Sequence, residues 1–111
     1  SPNSVRFAIT LGGNPAEQRV SGTTALTTGV WYHLAVTLSG TTARLYVDGV
    51  QIGINTGMTL NPSSLGVTTQ NWIGRSQYGV DPYLNGSIDD FRIYNRSLSA
   101  SEISALFLTV P

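Results

Sequence analysis

One segment of the sequence combines aromatic rings with planar polar side chains. Its members are Gln70, Asn71, Trp72, Arg75, Gln77, Tyr78, Asp81 and Tyr83. Aromatic faces can pack against sugar rings, while amide, carboxylate and guanidinium groups can hydrogen bond to hydroxyls. The surrounding Gly, Pro, Ser and Asn residues predict loops, where binding residues concentrate. We therefore take this segment as the candidate ligand-binding site, with a packed position in the core or at its rim as the alternative for Trp72.

The sequence shows neither the paired carboxyl groups of a glycoside hydrolase nor the motif of a nucleophilic enzyme. Hydrolysis of a glycoside needs two carboxyl groups that face each other across the bond. Asp89 and Asp90 are adjacent, so on a strand they would point to opposite faces. The chain has one histidine, His33, no cysteine and no G-x-S-x-G turn. We expect a protein that is not an enzyme by itself, with His33 in a structural role.

Composition and charge narrow the class of partner. Six arginines balance six acidic residues, so the formal net charge is zero, and the charged fraction is only 11%. Nucleic acids and anionic membranes attract strongly basic surfaces, which this composition does not supply. No apolar run approaches the length of a membrane span. We therefore expect a neutral or polar partner, with neither nucleic acid nor membrane involved.

Alternation of apolar and polar residues predicts a protein made mainly of strands. The predicted strands cover residues 5–11, 18–21, 31–38, 43–47, 50–54, 71–74 and 83–94. Asp48-Gly49 predicts a tight type I′ hairpin turn, and Tyr46 is expected on the outward face of that hairpin. Ser99 and Glu102 form a capping box that starts one helix, whose apolar residues up to Phe107 face the strands. The prediction is an all-β, antiparallel β-sandwich with one short C-terminal helix.

Three stretches together resemble the laminin-G-like branch of the concanavalin A-like jelly rolls. They are W-Y-H-L-A-V-T at 31–37, R-L-Y-V-D-G at 44–49, and N-G-S-I-D-D-F-R-I-Y-N-R-S-L-S at 85–99. Complete domains of that family have several strands before the strand predicted at 5–11. The resemblance therefore implies that residues 1–111 form one laminin-G-like domain that is a C-terminal portion of a longer one. We expect self-association, or complementation by the missing N-terminal strands, because the uncovered strands would expose edges and apolar faces.

Asp89 is the candidate metal ligand. If Phe91 and Ile93 face the core, Asp89 shares their inward face, where a carboxylate needs a hydrogen bond, an ion pair or a cation. In the family that the sequence resembles, the matching acidic position often helps to hold a structural Ca²⁺ ion. A local hydrogen bond to the turn at 85–87 is the alternative for Asp89.

The resemblance and the aromatic segment together imply a carbohydrate-binding or targeting module of a larger secreted, bacterial protein, with a glycan as its partner. A structural or adhesion module that contacts protein or neighbouring domains is the second hypothesis. A fragment of a catalytic jelly-roll enzyme that acts on glycosides is the third. Burial of Trp72, Tyr78 and Tyr83 would remove the glycan site and favour the second hypothesis.

Overall fold

The computed structural model describes residues 4–109, and its regular elements are mainly antiparallel strands. The elements are β1 (Ser4–Ile9), β2 (Gln18–Ala25), β3 (Leu34–Ser39), β4 (Thr42–Val47), β5 (Val50–Asn55) and the helix α1 (Ala100–Thr109). Short 3₁₀ turns lie at Asn14–Ala16 and Pro62–Leu65. No helix within residues 4–109 combines the length and apolar character needed to cross a bilayer.

The strands predicted at 31–38, 43–47 and 50–54 are confirmed, and they form a three-stranded antiparallel meander in the order β3-β4-β5. Leu34 pairs with Val47, and Ser39 pairs with Thr42. Asp48 and Gly49 both have positive φ, at 51° and 79°, as the type I′ turn requires. The sheet begins at Leu34, three residues later than expected.

The hairpin β1-β2 forms a second layer against the meander. Ile9 and Val20 from the hairpin meet Ala43 and Leu45 of β4, together with Met58, in the larger buried cluster. The hairpin crosses β5 at very close range, because a Cβ atom on Gly53 would lie 2.5 Å from the carbonyl oxygen of Ser21. Glycine at position 53 therefore allows the two layers to touch through their backbones.

Helix α1 covers the other face of β4. Tyr46, Leu98 and Ile103 form a second buried cluster between the helix and the sheet. The expectation that Tyr46 points outward to solvent is therefore wrong, because only 3% of it is exposed. The capping box is confirmed, since Ser99 N–H donates to Glu102 Oε1 at 2.9 Å and Glu102 N–H donates to Ser99 Oγ at 3.2 Å.

The strands predicted at 71–74 and 83–94 are wrong, because residues 56–109 contain no strand. Phe91 and Ile93 are 62% and 83% exposed, so they do not face a core. Alternation favours a half-buried strand, but a strand forms only when a neighbour accepts its backbone hydrogen bonds. Within residues 4–109 neither sheet pairs with this segment. The fold class is nevertheless as predicted: an antiparallel β-sandwich with a short C-terminal helix, whose sheets are not closed.

Candidate ligand-binding site

Arg75 holds two exposed aromatic rings of the predicted site together. Its guanidinium carbon lies 4.1 Å from the ring centroid of Trp72 and 5.4 Å from that of Tyr83. Both distances lie in the range of cation–π attraction. Trp72 remains 42% exposed and Tyr83 remains 70% exposed, so neither ring belongs to the core. The burial that would have removed the glycan site is therefore not observed.

The hydrogen-bond donors of Arg75 are left available by this stacking. Asp81 and Asp90 are acidic residues close to Arg75 in the sequence. Asp90 instead pairs with Arg92 at 3.1 Å, and no carboxylate within residues 4–109 forms a salt bridge with Arg75. A guanidinium stacked on its face keeps its N–H edges free, so Arg75 can donate to a ligand.

The other predicted residues line two clefts. The larger cleft, of about 630 Å³, includes Gln70, Asn71, Trp72, Arg75 and Gln77. The smaller, of about 530 Å³, includes Gln77, Tyr78 and Asp81. Tyr83 lines neither cleft and joins the site only through Arg75.

The wall common to both clefts comes from two parts of the chain. Ala8 of β1, Glu17 and Gln77 line both volumes. Glu17 lies between the 3₁₀ turn at Asn14–Ala16 and the start of β2, so the N-terminal hairpin positions it. The two clefts are therefore adjacent regions of one surface between the hairpin and the polar loop.

Glu17 was not found by the sequence analysis. Its side chain is only 6% exposed, and its Oε2 atom accepts a hydrogen bond of 3.2 Å from the hydroxyl of Tyr78. Its Oε1 atom is buried without a hydrogen-bond partner, since the nearest cationic nitrogen, Arg19 Nη1, lies 4.0 Å away. A buried acceptor without a donor costs about 1–3 kcal/mol.

The sequence contained little that could have identified Glu17. The residue is an isolated carboxylate with no partner at a recognisable spacing. Charged residues make up only 11% of the chain, and this scarcity is the one signal that draws attention to an isolated carboxylate. Its pairing with Tyr78, 61 positions away, depends on tertiary structure.

The geometry does not fit a metal site at Asp89. Asp89 is exposed, as are Phe91 and Ile93, so the inward face that these three residues were expected to share does not exist. No group of three or more His, Cys, Asp or Glu side chains comes together within the described part of the chain. Calcium prefers six to eight oxygen ligands. The calcium ion expected from the family resemblance thus stays a prediction without support from these side chains.

His33 occupies a position consistent with the structural role expected for it. Its backbone N–H donates to Asp48 Oδ1 at 2.8 Å, and its ring lies 6.1 Å from that of Phe107. His33 lines neither cleft. Its contacts therefore connect the meander to its own hairpin turn and to helix α1.

Comparisons with known proteins agree with this architecture. Residues 1–104 match a family described as the concanavalin A-like lectin/glucanases superfamily. A solved fragment of an S-layer domain-containing protein from Clostridium thermocellum superposes with a TM-score of 0.62 at 43% identity, covering 94% of this chain and 51% of that one. An alpha-L-arabinofuranosidase from Bifidobacterium longum is 33% identical over 64 residues, which are 58% of this chain and 6% of the enzyme. The chain thus spans about half of the solved fragment and a small part of the arabinofuranosidase.

Proposed function

The chain belongs to the concanavalin A-like lectin/glucanase superfamily, and on this premise we propose that it is a non-catalytic carbohydrate-binding module of a larger extracellular or cell-surface protein. The glycan lies in the two adjacent clefts between the N-terminal hairpin and the polar loop of residues 70–83. This proposal assigns the module to recognition, with any chemistry performed elsewhere in the whole protein.

The stack of Trp72, Arg75 and Tyr83 is the observation that carries the proposal. Arg75 lies over two exposed rings without burying either, and the ring of Trp72, which lines the larger cleft, can contact a sugar ring. The amide side chains of Gln70, Asn71 and Gln77 line the same region and can bond to hydroxyls. Flat apolar faces beside planar polar groups are the combination that a sugar ring and its hydroxyls require.

The relatives support the proposal through their names and through the extent of the match. One is an arabinofuranosidase, of which this chain matches only 6%, a share that suits an accessory module of a long enzyme. The other is an S-layer domain-containing protein, which suits a location at the cell surface. Both relatives come from bacteria, and we extend that origin to this chain.

Isothermal titration calorimetry against three oligosaccharide series tests the proposal. The series are neutral arabino-oligosaccharides, neutral cello-oligosaccharides and acidic galacturono-oligosaccharides. We expect binding in at least one series, and we expect Trp72→Ala to weaken it by about tenfold or more. Trp31→Ala is the matched control, because Trp31 is also exposed but lines neither cleft. The absence of binding in all three series, or equal losses in both variants, would contradict the proposal.

A catalytic fragment is the second candidate, and one observation favours it. Glu17 and Asp81 line the same smaller cleft, and glycoside hydrolysis uses two carboxyl groups. Release of reducing ends from the neutral oligosaccharides, abolished by Glu17→Gln and by Asp81→Asn, would establish that activity. Under the main proposal no release occurs.

A further inference from the structure

We infer that Asn85 is a site of spontaneous deamidation, at which the side-chain amide reacts with the backbone nitrogen of Gly86 and the chain acquires an aspartate or an isoaspartate. The inference goes beyond the proposed function and does not depend on it. The chain supplies both reacting groups and the solvent supplies the water, so the modification needs no further reagent.

The first step is the freedom of the reacting pair. Asn85 and Gly86 are exposed and lie outside the strands and helices of residues 4–109. Within that part of the chain neither the side chain of Asn85 nor the N–H of Gly86 has a hydrogen-bond partner. A Cβ atom on Gly86 would come no closer than 3.7 Å to Leu84, so the attacking nitrogen is not crowded. The fold therefore leaves the side chain of Asn85 free to reach that nitrogen.

The reaction balances with water alone. The nitrogen of Gly86 forms a bond to Cγ of Asn85, the bond from Cγ to Nδ2 breaks, and the amide leaves as ammonia with the displaced proton. Water then opens the cyclic imide. Opening at Cγ gives aspartate, and opening at the backbone carbonyl carbon gives isoaspartate, in which the main chain runs through the former side chain.

Glycine at position 86 is the second step, because a Cβ atom on the following residue hinders the backbone conformation that closes the ring. Asn95 is the informative comparison. It is also exposed, but Arg96 follows it and carries a long side chain. Asparagine is a thermolabile residue in general, and these two neighbours decide which copy reacts first.

Four other asparagines are restrained. Asn14 and Asn61 precede proline, whose nitrogen has no proton to lose. Asn55 donates from Nδ2 to a backbone oxygen of β2 at 2.7 Å. Asn71 accepts at Oδ1 from the hydroxyl of Thr68 at 2.7 Å and donates from Nδ2 to the carbonyl oxygen of the same residue at 3.3 Å.

Asp48-Gly49 is the other pair in the chain that could close the same ring, and the fold protects it. Asp48 Oδ1 accepts from the N–H of His33 at 2.8 Å, and the N–H of Asp48 donates to the carbonyl oxygen of His33 at 2.8 Å. The hairpin turn thus holds both the carboxylate and the backbone of Asp48. Asn85 has no such restraint.

The conversion changes the chain beside the candidate ligand-binding site. The N–H of Leu84 donates to the carbonyl oxygen of Gly74 at 2.7 Å, and the ring of Tyr83 lies 5.4 Å from the guanidinium carbon of Arg75. An isoaspartate at position 85 adds a methylene to the main chain directly after Leu84. Either product also adds a negative charge to a chain whose formal net charge is zero.

Incubation of the purified protein at neutral and at mildly alkaline pH, followed by digestion and mass spectrometry, tests the inference. Trypsin cleaves after arginine, so peptide 76–92 isolates Asn85 and peptide 93–96 isolates Asn95. We expect Asn85 to lose its amide about tenfold or more faster than Asn95. The rate should rise with pH, because the attacking nitrogen must lose its proton, and chromatography should separate an aspartyl and an isoaspartyl product.

Gly86→Ala should slow the conversion by about tenfold. The variant is expected to fold, because Gly86 does not have a positive φ and the added methyl would meet Leu84 at an ordinary contact distance. Gly79→Ala is the matched control in the same peptide. A Cβ atom there has no neighbour within 4 Å, and its residue does not precede or follow an asparagine, so the rate should stay unchanged.

Three results would overturn the inference. Conversion of Asn85 no faster than that of Asn95, or a Gly86→Ala rate equal to wild type, would remove the role of the pair. Aspartate without isoaspartate would mean direct hydrolysis, which bypasses the imide. Conversion in the folded protein more than about tenfold slower than in guanidinium chloride would show that the fold protects Asn85 after all.

Discussion

Glu102 is held at the start of α1 by two groups that both favour its charged form. Arg96 donates to it at 3.0 Å and 2.6 Å, and the backbone N–H of Ser99 donates at 2.9 Å. The hydrogen bonds from Arg96, followed by the one from Ser99, lower the pKa of Glu102 from 4.5 to about 2. The negative charge also lies in the first turn of the helix, where the helix dipole favours it.

This lowered pKa predicts a loss of stability in acid. The folded protein holds the Glu102 proton more weakly than the unfolded chain does, so the contribution is complete above the unfolded pKa of 4.5. It is lost as the pH falls from 4.5 towards 2. We expect urea denaturation to show wild type more stable than Glu102→Gln at neutral pH, with a difference that shrinks across that interval. A difference independent of pH would contradict the assignment.

At the scale of elements, α1 depends on its contact with β4. Ile103 is 2% exposed, and it packs with Leu98 against Tyr46. Ile103 is the one buried residue among residues 100–109 of α1. Ile103 is therefore the most buried contact of the helix with the sheet, and the half-buried Leu106 and Phe107 add to it.

Replacement of Ile103 by alanine should thus destabilise the protein strongly. Removal of a buried isoleucine costs about 2–5 kcal/mol, from lost burial and from the cavity that remains. Leu108→Ala is the matched control on the same helix, because Leu108 is exposed and its removal should cost about 0.5 kcal/mol or less. The free energies of unfolding in urea, measured for both variants, check the prediction. Equal losses would mean that α1 does not dock as described.

At the scale of the whole molecule, apolar side chains remain uncovered where the sheets stay open. Ile88, Phe91 and Ile93 lie close together along one segment and are all exposed. Contiguous exposed apolar surface in a soluble domain favours association. The self-association expected from the sequence stays a prediction, and the surface that it would cover overlaps the larger cleft, because Phe91 and Ile93 line that cleft.

We expect the isolated chain to associate with a second copy as its concentration rises, as measured by light scattering coupled to size exclusion. Ile93→Thr should shift the equilibrium towards the monomer, because it removes part of the exposed apolar surface. Val67→Thr is the control, since Val67 is also exposed but lies in a different loop. A wild-type monomer at every concentration would overturn the prediction.

The sequence predicted the parts of the fold that local interactions determine. The Asp48-Gly49 turn and the Ser99–Glu102 box were recognised because a few neighbouring residues define each of them. The prediction of a strand at 83–94 is wrong. Alternating apolar residues indicate that a segment favours strand geometry, but they do not show whether a neighbouring strand is present to pair with it. Tyr46 was placed on the wrong side, since only the packing of α1 decides that its face is covered.

The candidate site was likewise predictable only in part. The aromatic and amide residues of 70–83 form one cluster in sequence, and the structure keeps most of them along adjacent clefts. Glu17 approaches them from a distant hairpin, so no spacing along the chain could have revealed it. Long-range contacts of this kind require the three-dimensional arrangement.

The stacked tryptophan also supplies a spectroscopic reporter. Trp72 and Trp31 are the only two tryptophans in the chain, and both rings reach solvent. In a Trp31→Phe background all indole emission therefore arises next to Arg75. A sugar ring that displaces water from this indole would shift its fluorescence to shorter wavelength, so occupancy of the cleft could be followed in unlabelled protein.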